Sequence, residues 1–164
     1  MNDYFLPERK LLPILLNFCK ENKFKLKIIA RAKSKKILSC NDFEFLETFE
    51  FNKCYRFSDN SDLTVSIYSA FGLESIARGN RTAIFDVRNK ATDIKSLKLF
   101  PFDNQISSEG PFWSDEINEE EVNRTLIYSL KSSDHEWKKS IKQIIPQIIS
   151  YDFNNNKFKK LLSE

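Results

Sequence analysis

Histidine and cysteine are scarce in this chain, with one histidine and three cysteines among 164 residues. Cys19, Cys40 and Cys54 are odd in number and widely spaced, so they make neither a zinc module nor a persuasive disulfide framework. Cys19 falls in an apolar helical run and reads as a small core residue. Glycine is also rare, with three copies. A composition of 41% hydrophobic and 30% charged residues belongs with folded globular proteins, not disordered ones. No apolar run approaches the length that spans a bilayer. A signal peptide is not expected, because Met1-Asn-Asp-Tyr4 lacks a basic segment and Pro7 to Lys10 interrupts the first apolar run. Together these absences set the expectation of a reducing, cytoplasmic setting.

A chain of this length fits one domain with a substantial core, and its fifteen phenylalanines can fill that core or line an interface. The formal net charge of +3 is unevenly spread: residues 1–40 hold ten Lys/Arg against three acids, whereas Asp103 to Glu121 holds seven acids and no base. The basic edge Lys20, Lys23, Lys25, Lys27, Arg31, Lys33, Lys35, Lys36 suits phosphates or an anionic membrane surface, and equally a solvated helix end and strand. No zinc finger, basic helix or RNA-binding aromatic motif accompanies it, so no specific nucleic-acid partner is expected.

The spacing of Leu11, Leu12, Leu15, Leu16, Phe18 and Cys19 predicts a helix over Glu8–Glu21, with Pro7 at its start and Pro13 as an obstacle that delays it. Asn22-Lys23 turns into a strand at Phe24–Ala30. Asn41-Asp42 is expected to cap a short helix through Phe43, Phe45, Leu46 and Phe49, and a connection through Tyr55 and Phe57 leads to a strand at Leu63–Ile67. A helix from Ser69 or Ala70 presents Leu73, Ile76 and Ala77 on one face and ends at Gly79. The apolar run Thr82–Asp86 then reads as a covered parallel strand. Leu97–Phe102 is a further candidate strand, and Gly110-Pro-Phe-Trp113 an aromatic turn. Asn118 or Ser114 is the expected cap of an acidic helix Glu119–Leu130. Ser132-Ser-Asp134 starts another helix, carrying Trp137 in the core and Ile141, Ile144 and Ile145 towards Pro146. Phe158, Leu161 and Leu162 predict a packing helix in the tail. Alternating helix and strand signals make the expected fold a three-layer, Rossmann-like α/β domain with a parallel sheet, spanning 1–164 with 146–164 as a helical extension.

The run Asp62-Leu-Thr-Val-Ser-Ile-Tyr-Ser-Ala-Phe-Gly-Leu-Glu-Ser-Ile-Ala-Arg-Gly-Asn-Arg-Thr-Ala-Ile-Phe-Asp86 resembles the carboxy-terminal nucleotide-sugar half of two-domain, GT-B-type glycosyltransferases, closest to bacterial enzymes of surface carbohydrate synthesis. In that group a strand ends in a Ser/Thr-rich turn, the next helix carries a glutamate, and a small-residue/Arg-Gly pair precedes another strand. Gly110-Pro-Phe-Trp113 and Asp134-His-Glu-Trp137 also look like features of the group. The resemblance implies a donor nucleotide held by this half, with transfer of its sugar to a surface polysaccharide or lipopolysaccharide. A CMP-linked acidic sugar is favoured over UDP- or GDP-sugars. It also implies an acceptor-binding domain or subunit, and the expectation is that this acceptor half, with the catalytic base, is absent from these residues. The turn departs from the group's pattern, because Tyr68, Ala70 and Phe71 surround Ser69 where small hydroxyl residues are usual.

Ser69 and the amides of Ala70, Phe71 and Gly72 are the phosphate candidates, with an N-cap serine as the purely structural alternative. Glu74 is the candidate acceptor for ribose hydroxyls, and pairing with Arg78 is its structural alternative. Arg31 and Arg88 follow strands on the side where open α/β sheets bind ligands, so either guanidinium suits a phosphate or a sugar carboxylate. Trp113 is a candidate base or sugar contact, or a packing residue. His135 beside Asp134 fits a helix start better than a catalytic dyad, and no catalytic residue is assigned. The acids Asp115, Glu116, Glu119, Glu120 and Glu121 read as a solvated helix start, so neither a metal nor another cofactor is expected. Peripheral contact with the inner membrane is one use for the basic edge. A non-catalytic interaction domain, or a degenerate transferase fragment, is the competing reading.

Overall fold

Helix α1 (Leu6–Glu21) buries Pro7, Leu11, Leu15 and Phe18, a stripe with helical spacing. It belongs to a computed structural model that describes residues 6–29, 44–46, 51–67, 69–87, 107, 109–148 and 152–163. Pro13 does not delay the helix as expected, since the regular turns run through it. A proline inside a helix costs about 3 kcal/mol. Burial of Leu11, Leu15 and Phe18, worth about 1.5–3 kcal/mol each, outweighs that cost. Pro13 also sits on the exposed face of the helix, away from the buried stripe. The chain turns at Asn22-Lys23 as the sequence predicts, with Lys23 at φ 58° and the Phe24 N–H donating to the Cys19 carbonyl at 2.8 Å.

Strand β1 (Lys27–Ile29) is shorter than Phe24–Ala30 and pairs in parallel with β2 (Glu44–Leu46). The helix expected across Phe43–Phe49 is therefore corrected to a strand at its centre. Phe43, Phe45 and Phe49 fit a period of two as well as a helical one, and pairing with β1 decides between them. Helix α2 (Phe51–Asp59) occupies what reads in the sequence as a plain connection.

Next comes the unit β3 (Thr64–Ile67), α3 (Ala70–Ala77) and β4 (Thr82–Phe85). A hairpin follows, β5 (Glu109–Gly110) and β6 (Trp113–Ser114), and then α4 (Glu119–Lys131) and α5 (Asp134–Ile144). A 3₁₀ turn at Ile145–Gln147, another at Phe153–Asn155 and helix α6 (Asn156–Leu162) close the described elements. The larger sheet has the order β3-β4-β6-β5. β3, β4 and β6 run parallel while β5 is antiparallel, so the fold is α/β with a mixed, partly parallel sheet in place of the expected parallel one. The reason is local: Pro111-Phe112 joins β5 to β6 directly, and so short a link permits only an antiparallel return. The candidate strand Leu97–Phe102 lies outside the described residues.

β4 is buried along its whole length and divides the core by alternation. Ala83 and Phe85, with Val87 beyond the strand, pack with Leu11, Leu15 and Phe18 of α1 and Val122 and Leu126 of α4. Ile84 joins Leu73 and Ile76 of α3, Phe112, Trp113, Trp137 of α5 and Ile145. Helices thus cover both faces of the sheet. Trp137 is core as expected, at 3% exposure. The tail helix departs from expectation: Leu161 and Leu162 are 70% and 73% exposed, so α6 does not bury its leucines.

Candidate functional site

The register pairs Ile67 with Phe85 and Phe85 with Ser114, which brings the carboxyl ends of β3, β4 and β6 to one edge. Helix α3 starts there, two residues beyond β3. Its N-cap is Ser69, extended at φ −139° and exposed, whose hydroxyl accepts the Phe71 N–H at 3.3 Å. The Ser69 carbonyl accepts the Gly72 N–H at 3.0 Å and the Ser66 hydroxyl at 3.3 Å. Two of the three candidate phosphate amides are therefore engaged by Ser69 itself, one through a long, exposed bond. The exposed Ala70 N–H takes part in neither.

Gly72 is buried, and its lack of a side chain serves packing. A Cβ there would lie 2.5 Å from the Ser66 Cβ and 3.4 Å from Ile84, so glycine lets α3 settle onto β3 and β4. Gly79, by contrast, ends the helix in the left-handed region at φ 95° as the sequence predicts.

Glu74 lies one turn along α3 from Ala70, on the same helical face. It does not make the Arg78 pair considered in the sequence. Its Oε2 accepts the Tyr55 hydroxyl from α2 at 2.6 Å. Burial, and then this bond, pushes the Tyr55 phenol up to about 12, so the phenol remains a donor at neutral pH. The Tyr55 ring lies 5.5 Å from Phe71 and 5.0 Å from the Arg78 guanidinium. Arg78 pairs with Asp59 at the end of α2, and that contact holds the Asp59 carboxyl below its usual range.

The β6 end of the edge is acidic. Asp86, Asp115 and Glu116 are half-buried there, and the Ser114 hydroxyl accepts the Glu116 N–H at 3.1 Å. Arg124 reaches this region from α4, with Nη2 2.8 Å from Glu121 Oε2 and Nη1 donating to the Gly110 carbonyl at 3.0 Å. Arg124, and less strongly the Ser114 hydroxyl, keep the Glu121 carboxyl low. No group of three or more metal-ligating side chains is placed to hold an ion among the described residues. Arg31 and Arg88 lie outside the described residues.

Trp113 is 6% exposed, with Nε1 donating to the Ser107 carbonyl at 3.0 Å. Its ring occupies the space a Gly110 side chain would need, the added Cβ falling 2.0 Å from it, and it meets Phe112 edge-on at 4.8 Å. Stacking on a ligand would require the ring to leave this contact. His135 is exposed in the first turn of α5, whose Ser133/Glu136 capping box accounts for the polar residues around it.

Compared with known proteins, the whole of residues 1–164 matches a family described as "putative O-antigen biosynthesis protein". The chain belongs to this family. Neither a curated protein nor a solved structure matches it. For this O-antigen family member, the sequence picks out Ser69, Ala70, Phe71, Gly72 and Glu74, which the fold gathers on one helix at the carboxyl edge of the sheet. Tyr55 is the neighbour the sequence reading misses. The helical spacing of Phe51, Cys54, Tyr55 and Ser58 is the signal that could have found it.

Proposed function

We propose that this O-antigen family protein binds a nucleotide-linked sugar at the carboxyl edge of β3 and β4, as the donor-holding part of a GT-B-like glycosyl transfer. The observation that carries the reading is the start of α3: an exposed hydroxyl and backbone amide stand at the carboxyl edge of a parallel strand pair, with a carboxylate one turn away. The helix dipole and the Ala70 N–H favour a phosphate there, joined by the Ser69 hydroxyl. Glu74 accepts ribose hydroxyls through Oε1 while Tyr55 holds Oε2. Arg31 and Arg88 are the proposed cations for leaving-group charge, and a CMP-linked acidic sugar is the favoured donor. A separate domain or subunit presents the glycan acceptor and its base.

The competing reading, a non-catalytic interaction domain, draws on Gly72 being filled by packing and on Ser69 already serving as a cap. Calorimetry with CMP, UDP, GDP and their sugar conjugates separates the two. Donor binding is expected, and Glu74→Gln should weaken a ribonucleotide more than pyrophosphate. Equal weakening of both ligands would remove Glu74 from ribose recognition, and binding of none would favour the interaction domain.

A further inference from the structure

Helix α6 exposes its two leucines to solvent, Leu161 at 70% and Leu162 at 73%. They are adjacent, and the helical period places them with position 158 on one side of the helix. By the same period Lys157 and Lys159 flank that side and Lys160 lies on the opposite one, and Asn156–Leu162 contains no acid. Basic character extends beyond the helix. From Trp137 to Glu164 the sequence has six lysines, at 138, 139, 142, 157, 159 and 160, against two acids, Glu164 at the end and, within the segment, Asp152. That acid is spent on local structure, its carboxylate accepting the Lys157 N–H at 3.0 and 3.1 Å. Lys138, Lys139 and Lys142 are exposed on α5.

We propose that α6 docks on an anionic lipid surface, lying in the plane of the headgroups with Leu161 and Leu162 in the acyl boundary and its lysines among the phosphates. Charge and apolarity together select this occupant. Nucleic acid would satisfy the lysines and leave the leucines in water, whereas a second copy of α6 would bury the leucines and set lysine against lysine. No helix among the described residues is long and apolar enough to cross a membrane, so the contact is peripheral. The proposal is independent of the nucleotide site.

Co-sedimentation of the full chain tests it, with vesicles of phosphatidylcholine alone and of phosphatidylcholine mixed with phosphatidylglycerol. The protein should sediment with the mixed vesicles and stay in solution with the neutral ones. Lys159→Gln with Lys160→Gln should weaken binding roughly ten- to twenty-fivefold, about three- to fivefold for each positive charge removed near the headgroup layer. Leu161→Ser with Leu162→Ser should also release the protein, and because these side chains are exposed both variants should keep the wild-type circular dichroism. The proposal is overturned if the wild type binds neither vesicle, if either pair of substitutions leaves binding unchanged, or if the protein self-associates without lipid and the leucine variant abolishes that. Tighter binding to a single-stranded RNA than to the mixed vesicles, unaffected by the leucine changes, would overturn it as well.

Discussion

The two ends of the β3–α3–β4 unit treat polar groups in opposite ways. At the amino end of the strands nearly every hydroxyl is spent on another. The Ser58 hydroxyl lies 2.8 Å from that of Thr64 and 2.6 Å from that of Ser75, which in turn lies 3.0 Å from Thr82. Asn80 donates to Ser58 and Asp59, while Arg81 ties β4 to the α4–α5 corner through the Ser129 carbonyl, Ser132 and Asp134. At the carboxyl end the Ser69 hydroxyl holds one long bond, and both Ser69 and Ala70 are exposed. Buried hydroxyls must be satisfied within the fold, so the amino end fastens the elements, whereas the carboxyl end is where the proposed ligand would find its partners.

The strongest way to break this contrast is at the packing seam between the ends. Gly72→Ala drives a Cβ to within 2.5 Å of Ser66 and should destabilise the protein by about 1–3 kcal/mol in urea unfolding. Adding Ser66→Gly should recover part of the loss, and full additivity of the two changes would refute the contact. A comparable loss is expected within the network. Ser75→Ala removes two buried hydrogen bonds, to Ser58 and Thr82, each of which keeps another partner, and should cost about 0.5–1.5 kcal/mol per bond while leaving nucleotide affinity unchanged.

Acid sharpens the contrast further. The Asp59 carboxyl is held below its usual range, chiefly by its bond to Arg78, so its stabilisation is fully present above the unfolded value of 3.8 and is lost as pH falls through the lower folded value. Asp59→Asn should lower stability at neutral pH and flatten the acid limb of a stability–pH profile; an unchanged profile would discount the pair. The smallest effect is spectroscopic. The wild-type minus Tyr55→Phe phenolate titration should show one group near pH 12, and in a Glu74→Gln background that group should ionise at lower pH. Because the phenol is raised, its contribution to stability is complete below the ordinary tyrosine range and declines as pH climbs through the folded value.

Much of this unit can be read from the chain because its signals are local. Ser69, Asn118 and Ser133 sit where capping chemistry requires them, and Gly79 where a left-handed residue ends a helix. The misreadings arise where distant partners decide. β2 is a strand because β1 lies beside it, and α1 continues through Pro13 because its buried stripe outweighs one missing hydrogen bond. The spacing of Phe158, Leu161 and Leu162 predicts a helix correctly but carries no information about what covers its face. The site divides the same way. Ser69 and Glu74 are legible from their places around one helix start, whereas Tyr55 reaches Glu74 across nineteen positions of sequence. Likewise, nothing in the sequence near Gly72 shows that Ser66 will occupy the space beside it.

The central claim, that the open end of the unit and not the fastened one receives the ligand, is tested most directly by amide chemical shifts. A CMP-, UDP- or GDP-linked sugar would be titrated into isotope-labelled protein. Saturable shifts are expected at Ser69, Ala70, Phe71 and Glu74, with Ser58, Ser75 and Thr82 unmoved. Shifts clustered on Ser58, Ser75, Thr82 and Arg81, or none with any of the three donors, would contradict it.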